Sequence, residues 1–205
     1  MSSLDAELEK LYRDNWDRLS AGIPRGCGMS NPLLGTVPGG YEAAPVRLLV
    51  IGRETHGWCE GWDAEFSGDR VAGLRLRYAS FERGKRYRKT PFFQAATELQ
   101  RLLNPASDPF DFMWLNLFIC DEKKGLPKGP NAESLRRISL LREEIFILEP
   151  DAVVFFTGPA TMNTIKHPHY FPDAEFRPRS PKWSQLVAAG LRKRQRLPIT
   201  RNTCV

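Results

Sequence analysis

Seven consecutive residues, from Gly52 to Trp58, combine side chains that can do chemistry. They read Gly-Arg-Glu-Thr-His-Gly-Trp. A carboxylate such as that of Glu54 can act as a general base or position a water, and the imidazole of His56 can transfer protons near neutral pH. An indole can stack on a planar ring, and glycines let the backbone approach a ligand closely. We therefore predict that Glu54 and His56 are catalytic, and that this loop binds a ligand through Gly52, Arg53, Thr55, Gly57 and Trp58.

The same loop also has a purely structural interpretation. It would be a turn from a strand into a helix, in which Glu54 caps the helix and Trp58 packs against the core. The density of reactive groups directly after an apolar strand favours a site. The loop is neither a dinucleotide fingerprint nor a phosphate-binding P-loop, because it lacks their glycine spacing and the Lys-Ser/Thr pair.

Two other positions carry polar groups at the ends of apolar runs. Asn116 interrupts an apolar run, and its amide can donate and accept as an imide or amide edge requires. It could equally hold a neighbouring loop, since a buried amide needs partners in either case. Thr157, Gly158 and Pro159 follow another apolar run, where the glycine permits either a close ligand contact or only a turn. We predict all four as ligand-binding residues.

The elements that must position these residues are apolar strands that alternate with amphipathic helices. Strands are predicted for Val46–Ile51, Phe112–Cys120 and Asp151–Phe156. This alternation predicts one α/β domain over residues 1–205, a three-layer α/β/α sandwich with a mainly parallel central sheet of about four strands. In such folds ligands bind beyond the carboxyl ends of the strands, so the loops after the three strands should converge.

Helical spacing of apolar residues predicts the elements between the strands. Helices are expected over Ser3–Leu19, from Thr90-Pro91 onward, around Leu135–Leu148, and over Trp183–Arg194. Gly22–Pro45 is a long loop rich in glycine and proline, and loops of this length are often functional.

The chain is basic, with a formal net charge of +6 and a pI near 9.3. A polyanionic partner is therefore compatible with the sequence. Basic and aromatic residues interleave over Arg70–Lys89, and Leu191–Leu197 is a second basic stretch. Cations neutralise phosphates and aromatics stack on exposed bases, although a solvated surface is the alternative. The predicted nucleic-acid contacts are Arg83, Lys85, Arg86, Arg88 and Lys89.

Several classes of protein are not predicted. The longest apolar runs are too short to cross a bilayer, and the acidic N-terminus does not resemble a secretory signal, so we expect a cytoplasmic protein. The four cysteines, Cys27, Cys59, Cys120 and Cys204, match no zinc or iron–sulfur spacing. We therefore predict no metal and no cofactor.

In order and spacing, the three apolar strands resemble the uracil-DNA glycosylase superfamily over residues 46–159. Leu49–Glu54 resembles the family's strand that ends in a Gly-led motif with a water-activating acid. Trp114–Asn116 resembles its strand with a base-reading Asn, and Val153–Pro159 resembles its third strand. The resemblance implies that Glu54 orients a water, that Asn116 reads a flipped-out base, and that Trp58 or Phe118 stacks on that base.

The sequence also departs from the family pattern. The first loop lacks the Gln-Asp-Pro-Tyr run of the best-known branch, and no His-Pro-Ser motif follows the third strand. The resemblance therefore implies a nucleobase or nucleic-acid site at the rim, with DNA or a nucleobase-containing ligand as partner, and N-glycosidic hydrolysis as a possible activity. Two alternatives stay open: a non-catalytic nucleic-acid-binding protein of the same fold, and a small-molecule enzyme that uses Glu54 and His56 as acid and base.

Overall fold

The structure is a computed structural model. It describes residues 2–82, 86, 89–158, 161–168 and 170–171, and the backbone of 186–189, 191–192 and 195–196. Four predicted contact residues, Arg83, Lys85, Arg88 and Pro159, lie outside the described residues.

Three parallel strands form the centre of this mixed α/β protein. They are β1 (Leu48–Gly52), β2 (Met113–Asn116) and β3 (Ala152–Phe155), in the spatial order β2-β1-β3. Every residue of β1 is buried, as expected for the middle strand of a parallel sheet. The register places Gly52 opposite Asn116, so the carboxyl ends of β1 and β2 meet at the same edge.

The sheet differs from the sequence prediction in two respects. The parallel part of the sheet has three strands, where a mainly parallel sheet of about four strands was predicted. The backbone of β4 (Leu186–Ala189) pairs antiparallel with β3, where a helix over Trp183–Arg194 was predicted. Short apolar runs suit a strand as well as a helix, which explains this error. Beyond β4, β5 (Leu191–Arg192) pairs antiparallel with β6 (Gln195–Arg196).

Seven helices accompany the strands within the described residues. They are α1 (Ser3–Asp14), α2 (Trp16–Gly22), α3 (Arg70–Phe81), α4 (Pro91–Leu103), α5 (Gly129–Arg137), α6 (Leu141–Leu148) and α7 (Met162–Ile165). The predicted start of α4 after Thr90 is confirmed. Two helices that were predicted as continuous are each divided into two. The first is divided into α1 and α2 at Asn15, whose side-chain amide donates to the Leu11 carbonyl. The second is divided into α5 and α6.

Helix α3 lies inside the basic stretch Arg70–Lys89 and gives two of its arginines structural roles. Arg75 is buried and forms ion pairs with Asp5 and Glu9 on α1. Arg70 lies over the Trp62 ring, with its guanidinium carbon 4.2 Å from the ring centroid. These two cations therefore have partners within the fold.

The long loop Gly22–Pro45 is packed into the fold along residues 29–35, which are all buried. Its backbone pairs with the segment after β2: the Ser30 amide donates to the Asp121 carbonyl at 2.9 Å, and the Leu33 amide donates to the Ile119 carbonyl at 2.7 Å. The loop therefore packs along the segment that follows β2.

Glu144, on α6, makes the stability of the fold depend on pH. The Tyr12 hydroxyl donates to Glu144 Oε1 at 2.6 Å, and burial raises the pKa of Glu144 from 4.5 to about 7. The unfolded chain therefore ionises first as the pH rises. Stability contributed by the protonated carboxyl is complete below about pH 4.5 and is lost as the pH rises towards 7. The size of the loss should be about 3 kcal/mol.

We therefore predict that Glu144→Gln removes most of this pH dependence, because the amide keeps an acceptor for Tyr12 and carries no charge. Urea unfolding of both proteins, repeated from acid to mildly alkaline pH, measures how the free energy of unfolding depends on pH. Glu143→Gln, at the exposed neighbour, is the matched control. Parallel stability profiles for wild type and Glu144→Gln would refute this account.

Candidate functional site

The carboxyl ends of the three parallel strands open on one cavity of about 560 Å³. Each strand contributes the residues that follow it: 52–58 after β1, Asn116 at the end of β2, and 156–158 after β3. Phe81, Thr90, Phe92, Phe93 and Trp114 complete the lining. The volume is typical of a site for a small organic ligand. All predicted residues from Gly52 to Trp58, together with Asn116, Thr157 and Gly158, therefore lie on one cavity.

Aromatic rings form much of the cavity wall and hold one another edge to face. The ring centroids of Trp58 and Trp114 are 5.9 Å apart at an interplanar angle of 86°, and those of Trp58 and Phe81 are 5.4 Å apart at 84°. Phe92 and Phe156 meet at 5.7 Å and 88°. This packing fixes the ring planes and leaves an apolar surface that suits a planar ligand.

Three polar atoms in the cavity-lining residues have no hydrogen-bond partner. Among the buried polar atoms of the described chain, Asn116 Nδ2, Thr157 Oγ1 and Trp58 Nε1 are unpartnered. A buried donor without a partner destabilises a protein by about 1–3 kcal/mol. Asn116 ends β2, Thr157 lies two residues after β3, and Trp58 belongs to the loop after β1. Three of the residues that line the cavity therefore carry a buried polar atom without a partner in the described chain.

The orientation of the Asn116 amide follows from its neighbour Trp114. Trp114 Nε1 donates to Asn116 Oδ1 at 3.0 Å, and an indole nitrogen can only donate. The amide oxygen must therefore face Trp114, which leaves Nδ2 as the available donor. Gly52 makes room for this side chain, because a Cβ at Gly52 would lie only 2.3 Å from Asn116 Oδ1. The glycine thus permits the close approach of an asparagine within the protein.

Glu54 lines the cavity and forms an ion pair with Arg53. Both of its carboxylate oxygens accept hydrogen bonds from Arg53, one of them at 2.8 Å from Nη2. The Glu54 side chain is 8% exposed, and its hydrogen bond raises the pKa of Arg53. His56 is exposed. The loop therefore presents a positioned, partly neutralised carboxylate together with a solvent-accessible imidazole.

Asp121 holds the loop in place, and the sequence did not identify it. Its buried carboxylate accepts from the Thr55 hydroxyl at 2.7 Å and from the backbone amides of Gly57, Trp58 and Lys124 at 2.8–3.2 Å. One acid thus binds three residues of the Gly52–Trp58 loop. The only sequence signal is a carboxylate directly after the apolar residues 117–120.

Some predicted residues lie elsewhere. Phe118 does not line the cavity: its ring is buried, with the Arg136 guanidinium carbon 5.5 Å from the centroid. Its prediction as the stacking residue is wrong, because β2 ends at Asn116 and the following residues turn into the interior. Arg86 and Lys89 are both exposed, and Lys89 precedes the lining residue Thr90.

Comparison with known proteins finds no match among family models, curated proteins or solved structures. Within the described part of the chain, no group of three or more acidic, histidine or cysteine side chains could hold a metal ion. No described helix has the length and apolar character that a membrane span requires.

Proposed function

We propose that this chain binds a nucleobase, as part of a nucleotide or nucleic acid, in the cavity at the carboxyl edge of its sheet. The observation that carries the proposal is the trio of unpartnered buried atoms within an aromatic wall: Asn116 Nδ2, Thr157 Oγ1 and Trp58 Nε1. A nucleobase has flat faces that can pack on aromatic rings and a polar edge that can pair with these three atoms.

The donor and acceptor properties of these three atoms limit which bases the cavity can bind. Asn116 and Trp58 both present N–H donors, whereas the Thr157 hydroxyl can donate or accept. A ligand that satisfies them must carry at least two acceptors along its ring edge. Uracil has two carbonyl acceptors, and hypoxanthine has one carbonyl acceptor beside the ring acceptor N7. A ring edge that presents mainly amino groups would place donors against donors.

The likeness to the uracil-DNA glycosylase superfamily supports the same proposal. The residues that carry the likeness, Glu54, Asn116 and Gly158, lie on the one cavity. On this proposal the chain is a divergent protein of that superfamily, with the three-layer α/β/α arrangement and a cytoplasmic location.

The test is a titration of the protein with nucleosides, followed by tryptophan fluorescence, since Trp58 and Trp114 lie in the cavity wall. Deoxyuridine and deoxyinosine should quench the fluorescence saturably. A response that is absent or does not saturate for both nucleosides would overturn the proposal.

Hydrolysis of the N-glycosidic bond is a second candidate, which rests on the position of Glu54 in the cavity lining. In this reaction water gives its hydroxyl to the sugar C1′, and the base leaves with the proton. A carboxylate held by Arg53 could orient the water and stabilise the cationic sugar. Release of uracil and hypoxanthine from oligonucleotides, with Glu54→Gln and Glu54→Ala, tests it. Undiminished release by Glu54→Ala would contradict this role.

A further inference from the structure

A tight turn of two lysines lies beside the cavity. The Glu122 amide donates to the Gly125 carbonyl at 2.9 Å, and the Gly125 amide donates to the Glu122 carbonyl at 3.0 Å. Between them, Lys123 and Lys124 have φ angles of 51° and 64°. Two left-handed residues in a two-residue turn are normally asparagine and glycine. Lysines at both positions are strained, and such strain is found mainly at functional sites.

The turn is joined firmly to the Gly52–Trp58 loop. The Lys124 amide donates to Asp121 Oδ1 at 2.8 Å, while Asp121 Oδ2 accepts from the residues of that loop. The stem of Lys124 runs beside Gly57, because a Cβ at Gly57 would lie 3.2 Å from Lys124 Cγ. The Lys123 amide donates to the Gly28 carbonyl at 2.9 Å. The position of the lysines relative to the cavity is therefore fixed.

The two ammonium groups are available to an anion. Lys123 and Lys124 are exposed, and neither forms an ion pair with another residue that the structure describes. The nearby acids are occupied by backbone donors: Asp121 as described, and Glu122 through the Lys128 amide at 3.1 Å. The turn therefore projects positive charge beside the cavity.

We propose that Lys123 and Lys124 form a phosphate subsite next to the base cavity. The ligand is then a nucleotide or a single-stranded nucleic acid, and its phosphate contacts the lysine turn while its base enters the cavity. Ammonium groups bind phosphate oxygens through charge-assisted hydrogen bonds. This inference rests on the proposed function, because it assigns the charged part of the ligand whose base the cavity holds.

The test compares deoxyuridine, its 5′- and 3′-monophosphates, and an oligodeoxyuridylate on the wild type and on Lys123→Gln/Lys124→Gln. The variant should bind the nucleoside as the wild type does. For whichever of the two monophosphates the wild type binds more tightly, the variant should lose at least about tenfold in affinity. The salt dependence of oligonucleotide binding should become shallower by about one in log–log slope for each lysine removed.

Two further variants separate function from folding. Lys123→Asn/Lys124→Gly installs the residues that this turn prefers, so it should raise the thermal midpoint and still weaken phosphate binding to the same extent. Lys10→Gln/Lys166→Gln also removes two positive charges, but from exposed residues outside the cavity lining. This variant should bind the nucleotides as the wild type does.

The outcomes distinguish the two proposals. If the wild type binds the nucleoside and the nucleotides equally well, the phosphate subsite is overturned and the base cavity stands. If the nucleoside does not bind but oligonucleotide binding depends on the two lysines, the subsite stands and the base cavity fails. If both lysine-turn variants bind nucleotides as the wild type does, the subsite is overturned.

Discussion

Replacing Asn116 by aspartate should weaken the binding of deoxyuridine by at least about a hundredfold, which corresponds to about 3 kcal/mol. The carboxylate keeps an acceptor for Trp114 Nε1, so the indole remains satisfied. The other oxygen replaces the Nδ2 donor, and it would then face the acceptor edge of the ligand. A lost donor together with a new repulsion explains the size of the effect. Isothermal titration calorimetry at neutral pH measures it.

Asn104→Asp is the matched control for this experiment. Asn104 is also buried, but it lies at the end of α4 and holds both backbone groups of Val46, each at 2.9 Å. The same chemical change there should lower stability and leave the affinity for deoxyuridine unchanged. Wild-type affinity in a folded Asn116→Asp protein would show that the amide does not read the ligand.

Replacing Asp121 by alanine should lower the free energy of unfolding by about 3–5 kcal/mol. The change removes the acceptor of one hydroxyl and three backbone amides, and it leaves the Thr55 hydroxyl and the Trp58 amide buried without a partner. The Thr55, Gly57 and Trp58 positions would lose their common partner. Urea unfolding, extrapolated to zero denaturant, measures this decrease in the free energy of unfolding.

Asp121→Asn should have a smaller effect, since one oxygen can still accept from the loop while the new amino group meets only the Lys124 amide. Asp17→Ala, at an exposed residue of α2, should change stability by less than about 0.5 kcal/mol. A loss for Asp121→Ala no larger than that of Asp17→Ala would mean that this carboxylate does not hold the loop.

The positions of the site residues could be predicted from the sequence because they depend on a local pattern and one general rule. Apolar runs identify buried strands, and parallel strands present their carboxyl ends at one edge. Gly52, Asn116 and Thr157 each come at such an end, and the structure places them on one cavity. The bounds were less accurate: β2 was predicted to continue to Cys120 and ends at Asn116.

Contacts between distant parts of the chain could not be predicted in this way. Arg75 appeared to belong to a solvent-facing basic stretch, whereas its partners Asp5 and Glu9 come from α1. Phe92 and Phe93 lie in the helix that was predicted after Thr90-Pro91, and helical spacing does not show that these rings also line a cavity. Such roles depend on which elements meet, and only the folded chain shows that.

Heteronuclear NMR observes the proposed donors themselves and tests the central claim most directly. The Asn116 side-chain amide and the Trp58 indole N–H each give a resonance, as does Trp62, whose buried Nε1 also lacks a partner but lies outside the cavity. During titration with deoxyuridine monophosphate, the Asn116 and Trp58 signals should shift together and saturate at one affinity, while the Trp62 signal stays in place. Saturable binding that leaves the Asn116 and Trp58 signals unmoved would contradict the account.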